Sequence, residues 1–303
     1  MGIYILKRFI SNVIVLWLVI TMAFFAVRIM PEGPFNNSNM SAQSQENLEI
    51  FYGFNRHVIE QYFIYIKNLL ERNFGISMLG SGYEVTEIIL NTFQVSITVG
   101  IMTLIISSVF GTTIGTIILL YDDEFIVKVL KLIVSFGNII PSFVIAAILI
   151  YILEIRWNLL PLTGFNSPLH YAILVIILGL SCTSFLSRLV RISLTEIENE
   201  DYMYAARAKG MPYNTIVIKH GLKNSLISIT KYLPCLTTLL FANMLAAERI
   251  FNINGFAREF AQASINSDYT MLLGLITSLS IFLVVFNFII DILYAVINPY
   301  VKF

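Results

Sequence analysis

Six long runs of apolar residues limit what this chain can fold into. The runs cover residues 9–27, 94–120, 132–153, 170–186, 232–247 and 271–297. A helix needs about 20 mainly apolar residues to cross the hydrocarbon core of a bilayer. Charged residues make up only 13% of the chain and apolar residues 57%, whereas soluble domains carry about 25% charged residues. The sequence therefore predicts an all-α membrane protein with six transmembrane helices.

The first apolar run is interpreted as a retained helix, although Lys7 and Arg8 give it the basic start of a signal peptide. The run over 9–27 is longer than the usual apolar core of a signal peptide, and no A-x-A cleavage site follows it. We therefore count it as the first of the six spans.

Lysine and arginine are unevenly divided between the two sets of connecting segments. With a cytoplasmic N-terminus, twelve of the 19 Lys and Arg residues lie inside and seven outside, although the outer segments are longer overall. Cytoplasmic loops of membrane proteins are enriched in these residues. We therefore predict that both termini face the cytoplasm of a cell, bacterial by our expectation, with the chain in its plasma membrane.

The predicted outer segment, residues 31–93, contains a helical pattern. Apolar residues recur there at three- and four-residue spacing, which predicts an amphipathic helix. They are Ile59, Tyr62, Phe63, Ile66, Leu69 and Leu70. Gly75, Gly80 and Gly82 end this helix, and a second short helix is expected over 84–90. The segment either caps the mouth of a pathway or is only a packing lid, and the sequence leaves both open.

A stripe of small residues runs along the second span. Gly100, Ser107, Gly111 and Gly115 are spaced by seven, four and four residues. Small residues let helix backbones approach closely in lipid. We expect this stripe to pack against another helix of the same chain, with a subunit interface or pore wall as the alternative.

Residues suited to redox or metal chemistry are sparse. Cys182 and Cys235 both lie in apolar runs and are expected to be small buried side chains. His57, His170 and His220 are far apart in the sequence. No His/Cys/Asp/Glu cluster has the spacing of a metal site.

No charged residue lies in the middle of an apolar run, and Asp291, four residues after Asn287, comes nearest. An ionisable residue within lipid is a functional candidate by default. Because Asp291 is near the end of the last run, we favour a helix cap or a helix–helix hydrogen bond. The lack of central ionisable residues argues against a proton-coupled carrier.

The longest predicted inner loop, residues 188–231, is polar and helix-forming. A short helix over about 201–209 contains Ala205, Ala206 and Ala208, a turn follows at Gly210 and Pro212, and a second helix covers 213–222. Ala206 and Gly210 are four residues apart and are expected to share an exposed helix face. Small exposed side chains let the groove of another protein approach the helix backbone. The alternative is a hairpin that only connects two spans.

These loop residues carry a family resemblance. YAARAKG followed by KHGLKNSL resembles the cytoplasmic "EAA" signature of ABC importer permeases, most closely those of the oligopeptide/dipeptide/nickel permease family. Further similar stretches are MGIYILKRFISNVIVLW, MPEGPF, NFGIS, IPSFVIAAIL, LLPLTGF and ERIFNINGFAREFAQASINSDYTMLLG. The resemblance covers nearly the whole chain and is strongest to the first (B-type) oligopeptide permease subunit.

The chain departs from the family pattern at five positions. Tyr204 stands in place of the nominal Glu of the EAA stretch, and Ser228 where a Pro often closes it. In the outer signature, Asn254 and Ala257 replace a Pro and a Gly, and Ser267 replaces an Arg. These changes put the conformation of the outer loop in doubt.

The resemblance implies a type I ABC importer-like permease with a cytoplasmic EAA coupling helix. Its partners would be a second homologous permease, two cytoplasmic ATPases, an extracytoplasmic binding protein and a peptide substrate. The resemblance implies no cofactor in this chain, since ATP and Mg are bound by the ATPases, and the sequence has no G-x-x-x-x-G-K-[ST] phosphate loop.

Two groups of residues are carried over from the family motifs. The ATPase-coupling residues would be Tyr204, Ala205, Ala206, Lys209, Gly210 and Met211. The loop facing the binding protein would contain Asn254, Gly255, Asp268 and Tyr269. The chain would divide into a first helix (1–30), an extracytoplasmic segment (31–93) and a permease core (94–303) that includes the coupling loop.

Other functions were weighed against this one. Within the family, dipeptides, nickel or metal-chelates are alternative substrates. A membrane-embedded enzyme would need a catalytic constellation, and neither G-x-S-x-G nor H-E-x-x-H occurs. A stand-alone secondary carrier is disfavoured by the absence of an internal repeat and of buried charge. A formal net charge of zero gives no reason to expect nucleic acid.

Overall fold

The computed structural model describes residues 2–30, 42–78, 83–121, 124–160, 163 and 168–297. Within these ranges the regular structure is helical, apart from one isolated bridge between Ile76 and Glu84. Gly80 and Gly82, expected to break the chain, lie outside the described residues.

The helices follow one another as α1 Gly2–Arg28, α2 Ala42–Phe51, α3 Val58–Leu70, α4 Val85–Leu120, α5 Phe125–Ile139, α6 Ser142–Leu149, α7 Pro168–Ile197, α8 Asp201–Ala208, α9 Tyr213–Ile216, α10 Leu222–Thr230, α11 Leu233–Ile250, α12 Phe256–Ile265 and α13 Tyr269–Ile297. Two π-helical segments continue them, Ile150–Arg156 after α6 and Val217–Gly221 between α9 and α10.

Five helices are long and apolar enough to cross a membrane: α1, α4, α7, α11 and α13. They contain five of the six predicted spans, which are thereby confirmed as long helices. Pro234 stands in the first turn of α11, where its missing N–H has no intrahelical partner to lose. The protein is therefore a multi-pass membrane protein by length and composition of its helices.

The third predicted span, 132–153, is not one continuous helix. The chain there forms two helical pieces that meet at 103°, Phe125–Ile139 and Ser142–Arg156. The break falls at Pro141, which lacks an N–H and clashes with the preceding turn of a helix. Ile140, the residue before it, takes an extended conformation with ψ 120°, as the residue before a proline prefers.

The direction of the neighbouring helices decides how the bent pair runs. Ser107 of α4 donates a hydrogen bond to Gly179 O of α7 at 3.3 Å, and Gly115 lies against Ser187 and Val190. Numbers rise together along both helices, so α4 and α7 are parallel. The chain between them must therefore return across the bundle through the bent pair, which makes six crossings.

The small-residue stripe of α4 packs within the chain, as expected. A Cβ at Gly111 would lie 2.6 Å from Leu186 Cβ, and one at Gly115 would lie 2.5 Å from Ser187 O. Both distances are shorter than real contacts allow, so only glycine permits this approach of the two backbones. Gly100, further along the stripe, faces Phe241 of α11 instead.

Two helices extend beyond their predicted bounds. α4 is continuous from Val85, so the short helix expected over 84–90 is the first part of α4. α7 continues to Ile197, so the first ten residues of the predicted inner loop 188–231 are helical. Apolar runs report only the part of a helix in contact with lipid, and both helices continue past it.

The two ends of the bundle are built differently. At one end, here called the cap end, α3 and α12 cover the ends of α1, α4, α11 and α13 around a core that includes Phe24, Val85 and Tyr269. At the other, the hairpin end, α8 and α9 pack beside the end of α7. The predicted amphipathic helix over 59–70 is confirmed as α3.

Asp291 joins two helices, as expected. Its carboxylate lies 3.5 Å from the Arg8 guanidinium, and Phe9 packs edge-on against Phe288 with ring centroids 6.1 Å apart. These pairs place α1 antiparallel to α13. Much of α1 is exposed along its length, so this polar pair helps to fix a helix with few other neighbours.

The close approach of α4 and α7 yields a stability prediction. Gly115→Val should lower the stability of the purified chain by about 1–3 kcal/mol, because the new methyl groups would overlap Ser187 O and Val190 Cβ. The measurement is the thermal unfolding midpoint in detergent. Gly179→Ala is the matched control: its Cβ would lie 3.6 Å from Ser107 Oγ, an ordinary contact. Equal midpoints for both variants would contradict the glycine-dependent packing.

Candidate functional site

The helical hairpin at the hairpin end has a small core of its own. Met203, Ala206 and Ile216 are buried together, and Ile197 and Met211 pack against them. This core joins α8 to α9 and joins both to the last turn of α7. The hairpin is therefore packed against its own chain, with no contribution from another protein.

A tight turn separates α8 from α9. Gly210 has a φ of +75°, a conformation that residues with a Cβ rarely adopt. No atom lies within 4 Å of the position that a Cβ would occupy there. Pro212 then precedes the first turn of α9. The predicted turn at Gly210 and Pro212 is confirmed.

Polar contacts fix the hairpin to the bundle. Tyr213 donates a hydrogen bond to Glu198 at the end of α7, and Asn214 Nδ2 donates to Tyr121 OH at the end of α4, at 3.3 Å. Burial and the Glu198 carboxylate raise the pKa of Tyr213 to about 12, so its hydroxyl stays protonated at physiological pH. Gly221 packs closely against the side chains of Leu194 and Met203.

Ala206 lies on the opposite side of α8 from the expected one. It is buried against Met203 and Ile216, and α8 ends at Ala208, so Ala206 and Gly210 do not share a helix face. The expectation of an exposed Ala206–Gly210 face is wrong because the chain folds back at Gly210 and covers Ala206. Met211 is half-buried in the same core.

The exposed face of α8 presents small and aromatic side chains. Tyr204 is 51% exposed, and Ala205 and Ala208 are exposed on the same side of the helix. Lys209 and Gly210 continue this surface into the turn. We call these five residues the hairpin face. It includes four of the six predicted coupling residues, whose role stays a prediction.

A buried carboxylate organises the cap end. Glu248 of α11 is 1% exposed; its Oε1 accepts a hydrogen bond from Ser96 Oγ at 2.5 Å and its Oε2 one from Ala257 N at 2.9 Å. Ser96 Oγ also accepts from Phe256 N at 3.0 Å. The first turn of a helix has N–H groups without intrahelical acceptors. Glu248 and Ser96 satisfy two of them and join α4, α11 and α12.

Gly255 lies directly on this carboxylate. A Cβ there would come within 2.3 Å of Glu248 Oε2. Its φ of −108° is open to any residue, so the requirement for glycine is one of space. Of the loop residues expected to face a binding protein, Gly255 is buried and Asn254 is exposed.

Asp268 and Tyr269 are internal residues of the cap. Asp268 is fully buried, and its carboxylate accepts from Met271 N at 2.9 Å, Ser77 Oγ at 2.5 Å and Met78 N at 3.0 Å. Tyr269 is 3% exposed. Asp268 caps the N-terminus of α13 and holds residues 77–78 against it. The expected role of both residues in facing a binding protein stays a prediction.

Comparison with known proteins follows this geometry. The family described as "Binding-protein-dependent transport system inner membrane component" matches residues 109–303, more than half of the chain. The chain belongs to this family. The hairpin face and the cap-end residues from Glu248 onwards lie within the matched part, whereas α1, α2 and α3 precede it.

Full-length relatives of this transport component are peptide permeases. The chain is 29% identical over 303 residues to the oligopeptide transport system permease protein OppB of Haemophilus influenzae, and the match covers 99% of both chains. It is 29% identical to OppB of Escherichia coli strain K12 over 304 residues, again 99% of both. It is 27% identical over 300 residues to the dipeptide transport system permease protein DppB of Bacillus subtilis, covering 99% of this chain and 97% of DppB. Proteins so named are transport permeases and not enzymes.

Sequence reasoning missed the pair formed by Glu248 and Ser96. Glu248 comes one residue after the predicted fifth span, and Ser96 stands near the start of the second. An acid at the edge of an apolar run and a hydroxyl at the edge of another were the only signals. Their meeting depends on the antiparallel packing of α4 and α11, which the sequence does not display.

The contact between Gly255 and Glu248 can be tested by a double-mutant cycle. Gly255→Ala should destabilise the chain by about 1–3 kcal/mol, because its methyl group displaces the buried carboxylate. In a Glu248→Ala background the same change should cost almost nothing, since the overlapping atoms are gone. Thermal unfolding of the purified chain measures both steps. Asn254→Ala, at the exposed neighbour, is the control, and equal costs in both backgrounds would refute the contact.

Proposed function

We propose that this chain is a permease subunit of an ATP-driven ABC importer for oligopeptides. The observation that carries the proposal is the hairpin face, a compact surface of small side chains fixed to the end of a six-crossing bundle. The names and full-length coverage of the relatives support the peptide substrate. The chain would form half of the translocation pathway, with a second homologous permease as the other half.

The hairpin is suited to transmit a force to the membrane helices. Its contacts lead through Glu198 and Leu194 to α7 and through Tyr121 to α4. Those two helices are themselves in backbone contact at Gly111 and Gly115. A cytoplasmic ATPase that grips the hairpin face and moves on ATP binding would thus move α4 and α7 as one body.

The remaining parts of the importer are assigned by the same proposal. Two ATPase subunits would bind ATP and Mg, and this chain would bind neither. An extracytoplasmic substrate-binding protein would dock at the cap end, where Asn254 is the exposed member of the predicted loop residues. No nucleic acid is part of the assembly.

Uptake of dipeptides, nickel or metal-chelates is the second candidate substrate group. A relative named for dipeptide transport is as similar to the chain as those named for oligopeptide transport. Identity of about this level does not separate the two, so the ligand carried by the cognate binding protein decides between them.

The proposed orientation places the hairpin end in the cytoplasm. The lysines and arginines at that end, such as Lys131, Arg188 and Lys219, support it. In a chain lacking Cys182 and Cys235, a cysteine replacing exposed Ser264 at the cap end should react with an impermeant thiol reagent on intact cells. A cysteine replacing exposed Asn199 at the hairpin end should react only after permeabilisation. The reverse pattern would overturn the orientation.

The hairpin face can be tested separately from the hairpin core. Ala205→Leu adds bulk to an exposed face and should leave thermal stability unchanged. In a packed partner contact the added methylenes cost about 1–3 kcal/mol, which is about five- to over a hundredfold in association. The measurement is ATPase retained by the purified complex, together with peptide uptake in vesicles.

Two comparison variants make this test specific. Ala206→Leu should lower both stability and ATPase retention, because it overfills the core of Met203 and Ile216. Ser264→Leu, an equally exposed change at the cap end, should leave ATPase retention at the wild-type value. Full ATPase retention and uptake with Ala205→Leu would show that the hairpin face is not the coupling surface.

A further inference from the structure

A cleft of about 400 Å³ opens at the cap end, between α1, α3, the start of α13 and residues 50–56 and 73–78. Its walls include several polar residues and the aromatic side chains of Phe24, Phe54, Tyr65, Phe74 and Tyr269. Known small-ligand pockets begin at about 300 Å³. The cleft is therefore large enough for a group the size of one or two amino acids.

Arg28, the last residue of α1, forms part of the wall. Its guanidinium carbon lies 4.8 Å from the ring centre of Phe24, 4.5 Å from that of Phe54 and 5.6 Å from that of Tyr269. Its Nε donates a hydrogen bond to Gln61 Oε1 at 3.1 Å. These contacts fix the plane of the guanidinium in a cage of three rings.

One nitrogen of this fixed guanidinium has no partner. Nη1 of Arg28 is buried and makes no hydrogen bond with any described residue. An unpaired charged donor in a buried position is unfavourable, and buried charges in proteins are normally paired. Nη1 therefore lacks an acceptor within the described part of the chain, and it is covered, so a ligand in the cleft meets it only when the wall around it shifts.

The charges around the cleft make that acceptor an anion. Arg28 and Arg56 line the cleft, and no aspartate or glutamate is among the lining residues that the structure describes. Arg56 already has a carboxylate partner, Glu60, at 3.3 Å. The nearby Asp268 uses both of its oxygens on Ser77, Met78 and Met271. Among the described residues, no carboxylate neutralises Arg28.

We propose that this cleft binds a carboxylate that carries an apolar group, with Arg28 as the anion-binding residue. A carboxylate is planar and matches the donor geometry of a guanidinium, and the aromatic walls suit an apolar neighbour. The α-carboxylate of a peptide with a bulky last residue has this chemistry. The choice of a peptide rests on the proposed function, whereas the carboxylate follows from the cleft itself.

Gln61 is a positioning residue for this site. Its amide oxygen accepts from Arg28, and its amide nitrogen donates to Arg56 O at 2.9 Å. It thereby ties the guanidinium to residues 54–56 that form one wall of the cleft. A singly charged carboxylate suits a guanidinium that is held by Gln61 and enclosed by rings better than a phosphate, which needs several donors.

The test measures binding of the tripeptide Leu-Gly-Phe and of its C-terminal amide by isothermal titration calorimetry. The full chain is used with its partner permease in lipid nanodiscs, without binding protein. The free acid should bind at least tenfold more tightly than the amide. Arg28→Gln should abolish this difference, and Arg28→Lys should restore part of it. Arg72→Gln, an exposed arginine outside the cleft, is the control and should leave the difference unchanged.

Several outcomes would overturn the proposal. One is equal affinity for acid and amide in the wild-type chain, and another is a preference for the acid that survives Arg28→Gln in a variant with a wild-type melting temperature. A third is binding of the acid by a Glu32→Gln variant but not by the wild-type chain, because a carboxylate of the chain would then take the ligand's place. In each case, peptide uptake by the wild-type complex would show that the proposed permease function still holds. Failure of the carboxylate site can therefore be told apart from failure of that function.

Discussion

Lipid tails are as apolar as leucine side chains, so apolarity alone does not hold one membrane helix against another. In this chain the contact of α4 with α7 depends on backbones that approach each other at Gly111 and Gly115, closer than any Cβ permits. Because α4 and α7 are parallel, the chain between them must return through the bent pair at Pro141. The parallel packing also places the end of α7, and with it the hairpin, beside the end of α4.

The cap end depends on a different interaction, in which buried carboxylates satisfy the first N–H groups of helices. Glu248 does so for α12 and Asp268 for α13. Each also reaches a second element, Ser96 of α4 in one case and Ser77 in the other. Because neither carboxylate forms an ion pair in the described part of the chain, hydrogen bonds from the protein replace the water that each has lost. Hydrogen bonds of these two carboxylates therefore connect the elements of the cap end, on top of a bundle that is apolar.

The sequence identified the helices that face lipid, because lipid requires an apolar surface and apolar runs are easy to count. It failed where the outcome depends on a neighbour. Pro141 was visible, but a count of apolar residues does not register a missing N–H. Ala206 and Asp268 were singled out as parts of motifs, and their burial depends on Ile216, across a turn, and on Ser77, which is distant in the chain. The predicted segment boundaries at residues 30 and 93 and the predicted ATPase-coupling roles stay predictions.

α4 connects the two ends of the molecule. Its 36 residues span about 54 Å. At the cap end Ser96 holds the corner formed by Glu248 and α12, in the middle Gly115 lies on α7, and at the hairpin end Tyr121 contacts Asn214. Under the proposed function, a displacement of the hairpin would reach the cap through a single continuous helix, with no loop in between to absorb it. The same route would run in reverse, so that a protein docking at the cap end could change the position of the hairpin face.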